Sequence, residues 1–241
     1  MVQVEKESRI SVMFKYTMAS AMFFCLAGIV FFAIALVLSM DLPEMKDIKA
    51  LPVENGVAVE LAEMPGNFVN SVITAFDPEY YKHYGIKLSG LSSVFSSGSG
   101  YCGKFNGSMT ISQNLSSYVL SRHKSKISFD GVPGRIVDTV KMLLLTLKIE
   151  FKLKKDKTLE AFLNTARFGN NVNGLFQASA TYYNKKPSEL SLAECASLAV
   201  LMSDPDGLDP FGNPDGLMHK TNELLEKMKI IGFVSSSSVS K

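Results

Sequence analysis

Residues 75–86 read AFDPEYYKHYGI, and the fold turns on how this stretch is placed. Asp77, Tyr80, Tyr81, His83 and Gly85 bring an acid, two aromatics, an imidazole and a flexible backbone position together within nine residues. That composition suits the rim of an active site. Phe76, however, stands where a second acid would make chemical sense. Upstream, Phe68, Val69, Val72, Ile73 and Phe76 recur at spacings of one, three and four. Such a stripe marks one face of a helix starting near Gly66, and it makes Phe76 a core residue.

The helical pattern continues to either side. The spacing predicts helices over 110–120, 135–154, 157–167, 175–184 and 191–202. In the longest, Ile136, Val137, Val140, Leu144 and Leu147 share one side and are expected to face the core. The helix over 191–202 is apolar nearly all round, which places it centrally. A last amphipathic helix carries Leu217, Thr221, Leu224, Leu225, Met228 and Ile231, and Gly232 stops it. Between these lie a Ser/Gly-rich stretch over 89–107, a basic connector SRHKSK, and turns at DGVPG, FGNNVNG and DPDGLDPFGNPDG. The tail SSSSVSK reads as disordered. Few segments alternate with period two, so the fold class is mainly α.

The N-terminus is of another kind. No charged residue occurs from Tyr16 to Met40, and a span of about 20 apolar residues suffices to cross a bilayer. We read residues 16–40 as a transmembrane anchor. A cleaved signal peptide is the rival, given the A-x-A pattern of Ala33 and Ala35, but signal cores run only about 7–15 residues. Lys6, Arg9 and Lys15 precede the run, while Asp41, Glu44 and Lys46 follow it. By the positive-inside rule residues 1–15 are cytoplasmic and the remainder faces outward. Residues 41–65, with prolines at 43, 52 and 65, form a connector to a domain over 66–233, and 234–241 is the tail. The 241 residues carry a net charge of only +2, which gives no field pointing to nucleic acid. Three cysteines without paired spacing argue against a disulfide framework or zinc site.

Taken together, the motifs resemble those of the family 51 glycosyltransferases, the peptidoglycan polymerases. FDPEYYKHYG is similar to the pattern E-D-x-x-F-x-x-H-x-G through Asp77, Tyr80, His83 and Gly85. GSMTISQ resembles G-x-x-T-x-x-Q through Gly107, Thr110 and Gln113. KDKTLEAFLN resembles K-x-x-x-L-x-x-Y-x-N through Lys155, Leu159 and Asn164, with Phe162 for tyrosine. ASATYYNKKPSELSLAECASLA and HKTNELLEKM resemble the later helices, with Lys220 in place of an arginine. The set covers roughly residues 60–233. It implies a lysozyme-like helical domain behind a single membrane helix, acting in cell-wall synthesis at the bacterial cytoplasmic membrane. The chain ends soon after the last motif, so no transpeptidase domain is expected.

The resemblance implies polymerisation of lipid II, in which an acceptor hydroxyl attacks an anomeric carbon as polyprenyl pyrophosphate leaves. A carboxylate serves as general base, and cations or a divalent metal such as Mg or Mn stabilise the leaving group. The base position of the first motif is Phe76. The R-K-x-x-E motif falls on Asp138, Thr139 and Met142, counting back from the matched Glu150 and Lys155, and a later glutamine and lysine are Asn114 and Ser117. The expected protein is therefore an impaired polymerase that still binds lipid-linked precursor or glycan through His83, Thr110, Gln113, Lys155 and Asn164.

Other readings remain open. Asp77 or Asp138 is the tentative base of an atypical enzyme. Adjacent helical residues point about 100° apart, so Asp77 does not simply replace residue 76, and a helix cap is its alternative role. A backbone-bonded histidine is the alternative for His83, a solvated face for Lys152, Lys154 and Lys157, and packing against Phe76 for Tyr80, Tyr81, Tyr84 and Leu91, which otherwise dip into the bilayer. A regulator that binds cell-wall enzymes without turnover is the remaining alternative.

Overall fold

The structure is a computed structural model that describes residues 2–49, 58–87 and 108–233, with side chains described from residue 14 onward except at 47 and 49. The expectations for 89–107, Leu91 among them, and for the tail lie outside the described residues. The chain divides into two compact units, residues 1–41 and 42–241.

The first unit is one helix, α1, Val2–Met40. Its stretch Phe14–Met40 has 27 residues, and the most apolar 18-residue window within it has a mean hydropathy of 2.8. At 1.5 Å per residue the whole stretch is about 40 Å, long enough to cross a hydrocarbon layer of about 30 Å. No proline interrupts residues 2–40, so the helix runs on through the polar N-terminal residues that the sequence reading set apart from it.

In the second unit, α2 (Met45–Lys49) and a 3₁₀ turn (Leu61–Glu63) precede α3 (Gly66–Phe76), followed by a 3₁₀ turn at Tyr80–Lys82. Then come α4 (Ile111–Arg122), α5 (Gly131–Lys152), α6 (Lys155–Asn164), α7 (Leu175–Tyr183), α8 (Leu192–Ser203) and α9 (Pro214–Ile231). Apart from an isolated bridge between Arg167 and Asn173, the described residues form no β-structure. The mainly helical class is as expected.

The described part of 42–65 is built into this unit. Leu42 and Ile48 are buried in its core, and Lys148 Nζ donates to the Pro43 carbonyl at 2.7 Å. Asn164 grips Val59 from both sides: its Oδ1 accepts from the Val59 amide and its Nδ2 donates to the Val59 carbonyl, both at 2.9 Å. One turn earlier, Glu160 accepts from the Leu61 amide at 3.0 Å.

Helices α3, α8 and α9 pack together, and so do α4, α5 and α6. Aromatic rings join the two groups: Phe76 meets Phe162 edge-on with centroids 5.5 Å apart. α8 is central, with Cys195, Ala196, Leu198, Ala199, Val200, Leu201 and Met202 all buried. Capping agrees with sequence at several ends. Ser191 and Glu194 form a capping box on α8, and Gly232, at φ 87°, closes α9 in the left-handed region.

Two expectations for α5 are corrected. Its inner face is Thr139, Met142, Leu145, Thr146 and Ile149, whereas Ile136 is exposed and Val137, Val140, Leu144 and Leu147 are only half-buried. The threonines bury at low cost because Thr139 donates to the Arg135 carbonyl at 2.6 Å and Thr146 to the Met142 carbonyl at 2.8 Å. The helix also begins inside DGVPG rather than after it. Pro133 sits in the first turn, where its missing N–H is no loss, and Gly134 lies so close to the Phe129 carbonyl that no side chain fits.

We therefore expect Gly134→Ala to destabilise the domain by about 1–3 kcal/mol, while Gly66→Ala, whose new methyl meets open space, is neutral or slightly stabilising; thermal denaturation of the two variants checks this. Burial pushes the Cys195 thiol up to about 12, so it resists alkylation at pH 8 in the folded protein. Peptide mapping should show it modified only as the domain unfolds.

Candidate functional site

Three pieces of chain converge around His83: the end of α3, the start of α4, and the junction of α5 with α6. Asp77 ends α3, its amide donating to the Ile73 carbonyl at 2.8 Å. Its side chain is 6% exposed, and both oxygens are engaged. Oδ1 lies 2.8 Å from His83 Nε2, and Oδ2 accepts from the Ile111 amide in the first turn of α4 at 3.3 Å. The other ring nitrogen, His83 Nδ1, accepts from the Gly85 amide at 2.9 Å. A nitrogen that accepts an amide proton carries none itself, so the network assigns the ring proton to Nε2, which donates to Asp77. Neither ring nitrogen is left for another partner.

Gly85 continues the network. Its φ of 75° suits glycine, and its carbonyl accepts from Thr110 Oγ1 at 2.5 Å. Thr110 caps α4, accepting from the Gln113 amide at 3.1 Å. Gln113 completes the box by accepting from the Thr110 amide at 3.1 Å. The same Gln113 side chain pairs with the Lys87 backbone, accepting from its amide and donating to its carbonyl, each at 3.3 Å. His83, Thr110 and Gln113 thus belong to one continuous lattice. Asn114 and Ser117, further along α4, are buried.

Below Gly85 lies an ion pair. Lys155 Nζ is 2.9 Å from both Glu150 carboxylate oxygens and 4.4 Å from the centre of the Tyr80 ring. Ser112 Oγ makes a short hydrogen bond to Glu150 Oε1. Tyr80 is fully buried, its hydroxyl donating to the Lys155 carbonyl at 2.8 Å. Burial foremost, then the Glu150 and Tyr81 charges, hold that phenol well above its ordinary range. Tyr81, which donates to Asp156 at 3.0 Å, is pushed up to about 12, again mainly by burial.

The remaining expected residues lie apart. Asn164 is committed to Val59. Asp138 is half-buried on α5; burial raises its carboxyl above the usual range, and attraction to Lys141 opposes the shift. Lys141 itself is buried and donates to Ser125 Oγ and the Ile127 carbonyl, both at 2.5 Å. Phe76 is 3% exposed, and Met142 is fully buried beside Met109, Leu120 and Leu143. No group of three or more His, Cys, Asp or Glu side chains suited to a metal occurs among the described residues.

Glu150 and Ser112 are the members that sequence reasoning left without a role. The available signal was an acid near the end of one predicted helix and a lysine five residues on, across a short break that folds the two together.

Comparison with known proteins places this site in a family. The family model described as Transglycosylase matches residues 44–229. The chain is 29% identical over 180 residues to penicillin-binding protein 1A of Pseudomonas aeruginosa, covering 73% of this chain and 20% of that one. It is 27% identical over 190 residues to penicillin-binding protein 1F of Bacillus subtilis (79% and 25%) and 28% identical over 194 residues to penicillin-binding protein 2a of Streptococcus pneumoniae (80% and 25%). The chain therefore spans a fifth to a quarter of the length of these relatives, and the shared part contains the whole of the Asp77–Lys155 lattice. With a family match running from Glu44 to Lys229, this chain belongs to the transglycosylase family, the peptidoglycan glycosyltransferases of family 51.

Proposed function

We propose that the protein is a membrane-anchored peptidoglycan glycosyltransferase homologue that holds lipid-linked disaccharide precursor or glycan strand but polymerises it poorly or not at all. The observation that carries this reading is the fate of the two positions where the resemblance implies glutamates. Phe76 and Met142 fill them, and both side chains are buried in apolar surroundings. An aromatic ring and a thioether take no proton at neutral pH, and a general base contributes about 10²–10⁴ in rate. The lattice of Asp77, His83, Gly85, Thr110 and Gln113 is meanwhile complete, which favours a scaffold kept for binding. The apolar helix α1 supports an anchor in the bacterial cytoplasmic membrane, with residues 1–15 inside, the domain outside and other cell-wall synthesis proteins as neighbours.

A second reading has one observation in its favour. Asp138 is a half-buried carboxyl that burial raises above its ordinary range, against the pull of Lys141, and an upward shift is the direction that favours a general base. An atypical transferase using Asp138, with Mg or Mn at the leaving pyrophosphate, is the alternative. Asp77 suits that role less, because its oxygens already serve His83 and Ile111.

Full-length protein in detergent, with magnesium or manganese, is expected to bind lipid II without forming polymer above the protein-free control. Polymer would overturn the reading, and its loss by about 10²-fold or more in Asp138→Asn would establish the alternative. Asp77→Asn should lower stability by about 1–3 kcal/mol, read as a fall in Tm, because it weakens a buried acceptor with two donors.

A further inference from the structure

Part of the apolar stripe that the sequence assigns to the core side of α5 lies at the surface of the domain. Val132, Ile136, Val140, Leu143, Leu147 and Phe151 follow one another at spacings of three and four and so share one face along the helix. Val132, Ile136 and Phe151 are exposed, Phe151 by 78%, and so is Phe129 just before the helix. Val140, Leu143 and Leu147 are half-buried. The face that enters the core is a different one, with Met142, Leu145 and Ile149. A helix that is apolar on its buried side and again on its outer side has a second apolar environment to satisfy. Cations flank the outer stripe at both ends: Arg122, Lys124 and Lys126 before it, Lys152 and Lys154 after it, all exposed. Residues 121–136 carry four basic side chains, Arg122, Lys124, Lys126 and Arg135, against one acid, Asp130, which gives +3, whereas the whole chain has only +2. The loop bearing the first group is tied to α5, because the buried Lys141 donates to Ser125 Oγ and to the Ile127 carbonyl, both at 2.5 Å. At the far end the acid Glu150 is already paired with Lys155.

We propose that the outer edge of α5, from Phe129 to Phe151, lies along an anionic bilayer, with its apolar side chains at the boundary of headgroups and acyl chains and the flanking lysines against lipid phosphates. Cations alone suit any polyanion, and apolar side chains alone suit another protein. The two together on one edge match a lipid surface. The 22 residues of α5 extend about 33 Å, so the two groups of cations stand several Debye lengths apart and meet separate headgroups. Chain connectivity brings this occupant within reach: Phe14–Met40 of α1 is long enough to cross a membrane, and the domain begins at Leu42. Such a short tether makes the second contact effectively intramolecular, so weak individual attractions suffice. Each cation held at an anionic surface strengthens binding by about fivefold. The proposal is independent of precursor binding and rests only on the reading of α1 as an anchor.

The chain contains no tryptophan, so single tryptophans can report where each side chain sits. Phe129→Trp, Ile136→Trp and Phe151→Trp are made in the full-length protein and reconstituted into phosphatidylcholine vesicles with or without about 30 mol% phosphatidylglycerol, with brominated acyl chains as the quencher. Phe24→Trp in α1 reports insertion of the anchor. Phe211→Trp, in the loop before α9 and nearly as exposed as Phe151, reports a side chain in water. In anionic vesicles the three edge reporters are expected to shift to the blue and to lose about half of their emission or more to brominated lipid, while Phe211→Trp does neither. Omitting phosphatidylglycerol, or adding Lys124→Gln/Lys152→Gln/Lys154→Gln, should reduce that quenching by about twofold or more. Edge reporters that stay unquenched while Phe24→Trp is quenched would overturn the proposal. A blue shift without quenching would overturn it too, by showing that protein, a second copy or a partner, covers the edge. Quenching indifferent to lipid charge and to the three lysines would refute the anionic surface. An unquenched Phe24→Trp would refute the anchor on which the proposal rests, whereas failure to bind lipid II would touch only the precursor-holding reading.

Discussion

A buried carboxylate at the end of α3 is the constraint on which the site depends. An ionised Asp77 taken out of water would cost several kcal/mol if left unpaired, and the fold answers with a donor for each oxygen. His83 supplies one and the Ile111 amide the other. Satisfying the first fixes the histidine proton on Nε2, which leaves Nδ1 as an acceptor for Gly85. Satisfying the second brings the start of α4 against the end of α3. Thr110 then caps α4 and ties it back to the Gly85 carbonyl. One acid therefore determines how three pieces of backbone meet, and each further bond follows from an otherwise unpaired group.

Beneath this lattice the Glu150–Lys155 pair answers the same requirement with charge. Its members come from two helices separated by a break of only two residues, Leu153 and Lys154. Tyr80 connects the pair to the lattice: its ring faces the ammonium, and its hydroxyl holds the first residue of α6. Phe76 closes the arrangement from the other side by packing on Phe162 of α6. Apolar contact at position 76 and polar contact at position 77 are thus consecutive outcomes of one helix ending, since neighbouring side chains leave it in different directions. The geometry explains how residue 76 can belong to the core while residue 77 anchors the site.

The arrangement also explains why buried polar groups are so frequent on α4. Ser112, Gln113, Asn114, Ser116 and Ser117 are all buried there, a density unusual for a helix interior. Several have identified partners across or along the chain: Glu150 for Ser112, the Lys87 backbone for Gln113, and the Ser112 carbonyl for Ser116. The helix also places Ile111, Leu115, Tyr118 and Val119 in the core, so apolar contact and the groups that need its hydrogen bonds set its position together.

By itself the sequence determined the helical class, the approximate span of every described helix beyond residue 65, the long apolar helix and the motif order, because these depend on local spacing, capping residues and punctuation by glycine and proline. It also identified His83, Thr110 and Gln113 as companions, since their motif spacing survives in the chain. Tertiary structure alone decided the rest. The inner face of α5 was misread because that helix is apolar on several sides and its buried threonines look polar until their hydroxyls are seen bonded to the preceding turn. Asn164 proved to hold Val59, 105 residues away in sequence, and Lys155 proved to be paired with Glu150. Such partners are invisible to periodicity, because a charged or amide side chain declares what it needs but not which distant group will satisfy it.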